Sequence, residues 1–138
     1  MSKLTIELGG GLRGLPLGSS RGSVRAFFGN GHQPFKRSAD SEEADYWSKE
    51  GVFAYYDDAE LLEALEFSKP SDPTLQGESL TTVMMGEAID YLLMLDPELR
   101  LEPGGATSSK VGVGVWSSTG EPDQPVMSVI TFGPGYYG

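Results

Sequence analysis

Ser48-Lys49-Glu50-Gly51-Val52-Phe53-Ala54-Tyr55-Tyr56 reads as the first arm of a hairpin, and Ser108-Ser109-Lys110-Val111-Gly112-Val113-Gly114-Val115-Trp116 follows the same pattern later in the chain. The returning arms also line up, Leu61-Leu62-Glu63-Ala64-Leu65-Glu66-Phe67 with Val126-Met127-Ser128-Val129-Ile130-Thr131-Phe132. Each half carries an apolar helical pattern upstream of these strands. The expected architecture is therefore α+β, with helices packed on one face of an antiparallel sheet and two pseudo-repeated halves.

Working outward, Leu4, Ile6 and Leu8 alternate with Thr5 and Glu7 as a short first or edge strand. Gly9-Gly10-Gly11 ends it, and without GxGxxG order or a P-loop lysine it reads as a flexible turn. Residues 17–29 predict a short helix: Ser19 or Ser20 caps it, Val24, Phe27 and Phe28 form its apolar face, and Gly29 stops it. Extended pieces are expected near 33–38 and 44–48, around a mobile acidic turn. The clearest hairpin spans 51–57 and 61–68, with Asp57-Asp58-Ala59-Glu60 as its turn. Lys69-Pro70-Ser71-Asp72-Pro73-Thr74 is the best linker, because its prolines interrupt regular structure.

In the second half Met84, Ala88, Tyr91, Leu92 and Leu95 recur at helical spacing, predicting a helix over 83–95 that Asp96-Pro97 ends. Leu99-Arg100-Leu101 is a short strand. Pro103-Gly104-Gly105 turns into a strand over 109–117, a loop around Gly120 follows, and a last strand covers 125–132. The glycine-rich end through Gly138 is irregular.

The chain has 138 residues, enough for one domain whose pseudo-repeats cover about 1–70 and 74–138; each half alone is marginal, so they should share a core or pack tightly. Its formal net charge is −10, with a sequence pI near 4.4. That disfavours a nucleic-acid or anionic-membrane surface, where phosphates need cations, and suits a basic partner. Without cysteine there is no disulfide, thiolate metal site or cysteine nucleophile. The amino-terminal stretch alternates instead of forming an apolar signal core, and no apolar run reaches membrane-spanning length, so a cytoplasmic protein is expected.

Conventional chemistry is sparse. His32 sits between turn residues and has no zinc-type companions. Asp40-Ser41-Glu42-Glu43 lacks the EF-hand order. Asp57 and Asp58 suit a turn better than a catalytic pair, and Ser19 and Ser20 suit caps better than nucleophiles. Arg21, Arg25, Lys36 and Arg37 form the one local basic group; Arg21 and Arg25 lie one helical turn apart and are placed to pair with the acidic stretch at 40–45. No catalytic residue, metal site or cofactor is expected.

Strand alternation then divides core from surface. Phe53, Tyr55, Val113 and Val115, with Leu65, Phe67, Ile130 and Phe132, are expected beneath the helices. The opposite set places small residues followed by a large aromatic, Tyr56 or Trp116, on an open face. Asp57, Asp58 and Glu66 would add an acidic rim, and Tyr136 and Tyr137 complete the candidate binding residues. Tyr56 and Trp116 fit two roles equally: interface anchors, or covers for the sheet edge and the joint between halves.

Gly18-Ser19-Ser20-Arg21-Gly22-Ser23-Val24, the stop at Gly29 and the Val52–Phe67 hairpin together resemble the small-lipoprotein fold of outer-membrane assembly machinery, the SmpA/OmlA type. Its tandem form is similar to the beta-lactamase inhibitory protein, whose concave sheet grips an enzyme. This chain has no cysteine for a lipid anchor or a disulfide and no signal peptide is expected at its start, so what the resemblance implies is an architecture used for protein contact. Its acidity is also similar to that of immunity factors that accompany toxins. The expected function is a non-enzymatic protein-binding module, inhibitor-like or immunity-like, occluding another protein such as a basic toxin or enzyme. The alternative is a small-ligand binder or carboxylate-based enzyme, with a pocket between the halves lined by Tyr46, Trp47, Tyr136 and Tyr137.

Overall fold

The computed structural model describes residues 4–36, 38–40 and 42–137. The expectations for Arg37, Ser41, Gly138 and residues 1–3 lie outside these. The chain is mixed α+β, a large antiparallel sheet with two helices. Strand β1 (Thr5–Ile6) leads through the glycine loop to helix α1 (Arg21–Phe28). Ser20 caps α1 by accepting a hydrogen bond from the Ser23 amide, and Gly29 closes it at φ 97°, as the sequence predicts. Strands β2 (Gln33–Phe35), β3 (Ala44–Trp47), β4 (Val52–Tyr56) and β5 (Leu62–Phe67) then form a meander. Short strands β6 (Thr74–Leu75) and β7 (Glu78–Ser79) precede helix α2 (Met85–Leu95), which ends at Asp96 before Pro97. A second meander follows: β8 (Arg100–Glu102), β9 (Gly105–Ser108), β10 (Val113–Trp116) and β11 (Ser128–Phe132).

The two meanders join into one eight-stranded sheet, ordered β2-β3-β4-β5-β11-β10-β9-β8. Their final strands meet at its centre, antiparallel, with Phe67 opposite Val129 and Ala64 opposite Phe132. A small sheet, β1-β6-β7, runs β1 parallel to β6.

Three sequence expectations change. Residues 109–117 are not one strand: Gly105–Ser108 is a separate strand, and the chain turns through residues 109–112 before β10. Gly112, at φ +78°, makes this turn close against the backbone of Gly9 and Gly10. The glycine triplet is accordingly a fixed wedge. Its Gly9 amide donates to Val111 O at 2.8 Å, and its Gly11 amide to Thr131 Oγ1 at 2.9 Å. The stretch at 69–74 is folded connection, since Ser71 is buried, its carbonyl accepts from Thr81 Oγ1, and Thr74 enters β6.

The core lies on both sheet faces. Val24 of α1 and Met85, Ala88 and Leu92 of α2 share the larger buried cluster with Val52, Ala54, Tyr56, Leu65, Phe67, Val113, Val115 and Val129. Ala44, Tyr55, Ala64, Ile130 and Phe132 form a second cluster on the reverse face, beneath Phe53, Trp116 and Tyr136. The alternation expected for β5 and β10 therefore holds, and that for β4 and β11 is inverted. Phe53, Tyr55, Ile130 and Phe132 face away from the helix-bearing cluster, while Val52, Ala54, Tyr56, Val129 and Thr131 face it. The cause is register. Ala54 lies opposite Leu65, so the two share a face. At the hairpin's end the ladder shifts between Tyr55, opposite Ala64, and Tyr56, opposite Leu62, which leaves Glu63 as an extra residue. A one-residue slip reverses every side chain of a strand.

Candidate functional site

On the reverse face, side chains from successive strands form rows. One runs Tyr46, Phe53, Glu66, Ile130, Gly114 and Thr107 across six neighbouring strands. The next places Phe35 opposite Ala44, Tyr55 opposite Ala64, and Ala64 opposite Phe132. β-Strand pairing brings these rings together because residues directly opposite on one face lie within side-chain reach. Tyr46 stacks on Phe53 with centroids 4.2 Å apart and planes at 15°, and Phe35 meets the same ring edge-on at 5.2 Å. Farther along the face Tyr136 stacks on Phe132 at 5.8 Å, and Tyr137 meets both rings edge-on. Phe35 and Tyr137 are 38% and 39% exposed, and Tyr46, Phe53, Trp116 and Tyr136 are half-buried. Aromatic side chains thus roof a face on which neither helix contributes to the buried cluster.

Glu66 sits among them, half-buried and flanked across the strands by Phe53 and Ile130. Its Oε1 accepts the Tyr55 hydroxyl at 2.7 Å. Gly114 leaves a low point beside Ile130: a Cβ there would stand 3.1 Å from both Ile130 Cγ2 and Thr107 Cγ2.

The other predicted residues lie elsewhere. Tyr56 belongs to the helix-side core, 3% exposed, so it and Trp116 occupy opposite faces rather than one. Asp57 and Asp58 are turn residues; the Asp57 carboxylate accepts the amides of Ala59 and Leu61 at 2.9 and 3.0 Å, an Asx-type arrangement. The pocket expected between the halves does not assemble. Trp47 is fully buried on the other face, donating its indole N–H to Gly29 O at 3.0 Å, whereas Tyr46 lies on the aromatic face. Tyr136 and Tyr137 share that face, around Phe132.

Sequence reasoning missed the role of Asp45, which it placed beside a mobile acidic turn. Asp45 lies on β3, fully buried. Its Oδ2 and Oδ1 accept Arg25 Nε and Nη2, both at 2.9 Å, and Oδ2 also accepts the Tyr56 hydroxyl at 2.8 Å. Arg21 lies 3.6 Å away, its guanidinium 4.0 Å above the Tyr56 ring, with Nε on Glu60 and Nη2 on Glu43 O. The expected pairing of Arg21 and Arg25 with the acidic stretch is thereby met at one residue. Burial opposes ionisation of Asp45, but the hydrogen bonds from Arg25 and Tyr56 and the two arginine charges outweigh it and hold its carboxyl below its ordinary value. Burial first, then the adjacent carboxylate, raises the Tyr56 hydroxyl far above its usual value. With every acceptor oxygen occupied and the tyrosine held protonated, this cluster pins α1 to the sheet and offers no free base.

A half-open cleft of about 610 Å³ lies near the end of α1, walled by Leu4, Phe27, Phe28, Val52 and Pro70 and rimmed by Lys49, Glu50 and Asp72. No group of three or more histidine, aspartate or glutamate side chains is placed to hold a metal ion among the described residues. No helix among them is long and apolar enough to cross a membrane. The chain matches no family model, curated protein or solved structure in comparisons with each.

Proposed function

We propose that this chain is a non-enzymatic protein-binding module whose aromatic sheet face meets and occludes another protein, as an inhibitor or immunity factor does. The observation that carries the reading is the partly exposed aromatic roof over Tyr55, Ile130 and Phe132. Large amphipathic rings held rigid by a sheet are the side chains that most often anchor protein interfaces. The net charge of −10 favours a basic partner and speeds encounter with one.

The same reading includes two pseudo-repeated halves with both helices on one face. The order of a helix followed by four antiparallel strands, twice, supports it. So does the equivalence of Val52 with Val113 and Ala54 with Val115, a residue displaced from the alignment that the sequence pattern suggests. An architecture of the small-lipoprotein type, in tandem, is consistent with this order. A small-ligand binder is the second reading; the cleft beside Phe27 and Phe28 favours it, lined by residues of the first half together with the connection at Pro70–Thr74 and Gly77.

The test isolates the partner from cells of the native source, identifies it, and measures its affinity for variants. Tyr46→Lys, on the aromatic face, should weaken binding at least tenfold, while Met94→Lys, 80% exposed on α2, should leave it unchanged. Equal affinity for both variants contradicts the proposal.

A further inference from the structure

Resting on that reading of the face, we infer that Glu66 is the receptor for an arginine side chain presented by a basic partner. Glu66 lies at the middle of the sheet, on the strand that joins the two meanders. Its carboxylate is held by Tyr55 at 2.7 Å and bordered by Phe53, whose ring stacks with Tyr46. None of the described arginines or lysines is ion-paired with it; the described ion pairs use Asp45, Glu60 and Glu102.

Two physical arguments give the partner its chemistry. A protein that covers this face removes Glu66 from water, and a carboxylate desolvated without a cation costs several kcal/mol. A partner that places a positive group there offsets this cost. The surroundings then select the cation. A guanidinium can pack against the Phe53 ring beside the carboxylate and direct paired N–H donors at the carboxylate edge, whereas an ammonium offers a point charge with no planar face. The chain's excess of acidic over basic residues, 20 to 10, steers such a group inward.

The experiment titrates the intact protein with N-acetyl-triarginine amide and, separately, with N-acetyl-tricitrulline amide, its uncharged near-isostere, following backbone amide resonances by NMR. Triarginine is expected to move the signals of Phe53, Glu66 and Ile130, and tricitrulline to leave them unmoved. Glu66→Gln keeps an acceptor for Tyr55, so its melting temperature should match the wild type while triarginine affinity at these residues falls about fivefold. Shifts confined to other acidic surfaces, or an unchanged response in Glu66→Gln, overturn the assignment. Failure here is distinct from failure of the binding face. If Tyr46→Lys releases the identified partner but triarginine leaves Glu66 unmoved, the face stands and the arginine receptor does not.

Discussion

Replacing Asp45 with asparagine removes one charge from the interior and keeps the side chain's size. In the wild type the carboxylate is fully buried, accepts both Arg25 donors at 2.9 Å, and accepts the Tyr56 hydroxyl at 2.8 Å. Asparagine supplies one acceptor oxygen in place of two and turns an amide donor toward at least one existing donor. Breaking a buried ion pair costs about 3–5 kcal/mol, and Arg25, 37% exposed, can recover some hydration, so the lower end, about 3 kcal/mol, is expected. That is a large share of the roughly 5–15 kcal/mol that holds a domain folded. Urea unfolding at pH 7, followed by circular dichroism, gives the difference directly.

Its pH dependence follows from the direction of the shift. The Asp45 carboxyl lies below its ordinary value when folded, so its stabilisation is complete above the unfolded value of about 3.9. It is lost as pH falls through the lower, folded value. The gap between wild type and Asp45→Asn should therefore narrow in acid. A variant within about 0.5 kcal/mol of wild type at pH 7, or a gap that widens in acid, refutes the reasoning for a buried ionic clamp.

Tyr56→Phe keeps the ring beneath Arg21 and deletes only the hydroxyl; it should cost about 1.5–3 kcal/mol, the range for hydrogen bonds to charged groups, with partner affinity unchanged. Trp116→Ala, from a half-buried ring on the opposite face, should instead lower partner affinity more than stability, as paired melting and binding measurements would reveal. Gly112→Ala combines a φ of +78° with a Cβ only 2.5 Å from the Gly10 backbone nitrogen, and should destabilise by about 2 kcal/mol or more in chemical unfolding.

Much of the fold was legible because local chemistry agreed with it. Ser20 and Gly29 bound α1, Asp96-Pro97 ends α2, and Asp57–Glu60 turns the first hairpin. β9 is not legible: Gly105-Ala106-Thr107-Ser108 has little apolar content, yet it lies buried because α2 packs on it, with Ala106 in the cluster of Met85, Ala88 and Leu92 and Ser108 bonded to Asp96. Facing failed where strands are apolar on both sides. Val52-Phe53-Ala54-Tyr55-Tyr56 carries no polar residue to mark its outer face, and the shift at the β4–β5 tip cannot be read from composition. β5 was read correctly because Glu66 marks that face.

The binding residues divided for the same reason. Trp116 and Glu66 lie on the reverse face as the alternation predicts, Tyr56 lies on the other, and Phe35, expected in an extended piece, and Phe53, expected in the core, belong to the aromatic face. Asp45 gave no local signal, since only the folded chain brings α1 over β3; the spacing of Arg21 and Arg25 was the one hint.

The most direct test of the binding face is hydroxyl-radical footprinting of the protein alone and in complex with its identified partner. The account predicts that Phe35, Tyr46, Phe53, Trp116 and Tyr137 become protected while Met94 on α2 and Phe27 in the cleft keep their reactivity. Protection of Met94 or Phe27, with the aromatic face left reactive, would contradict it.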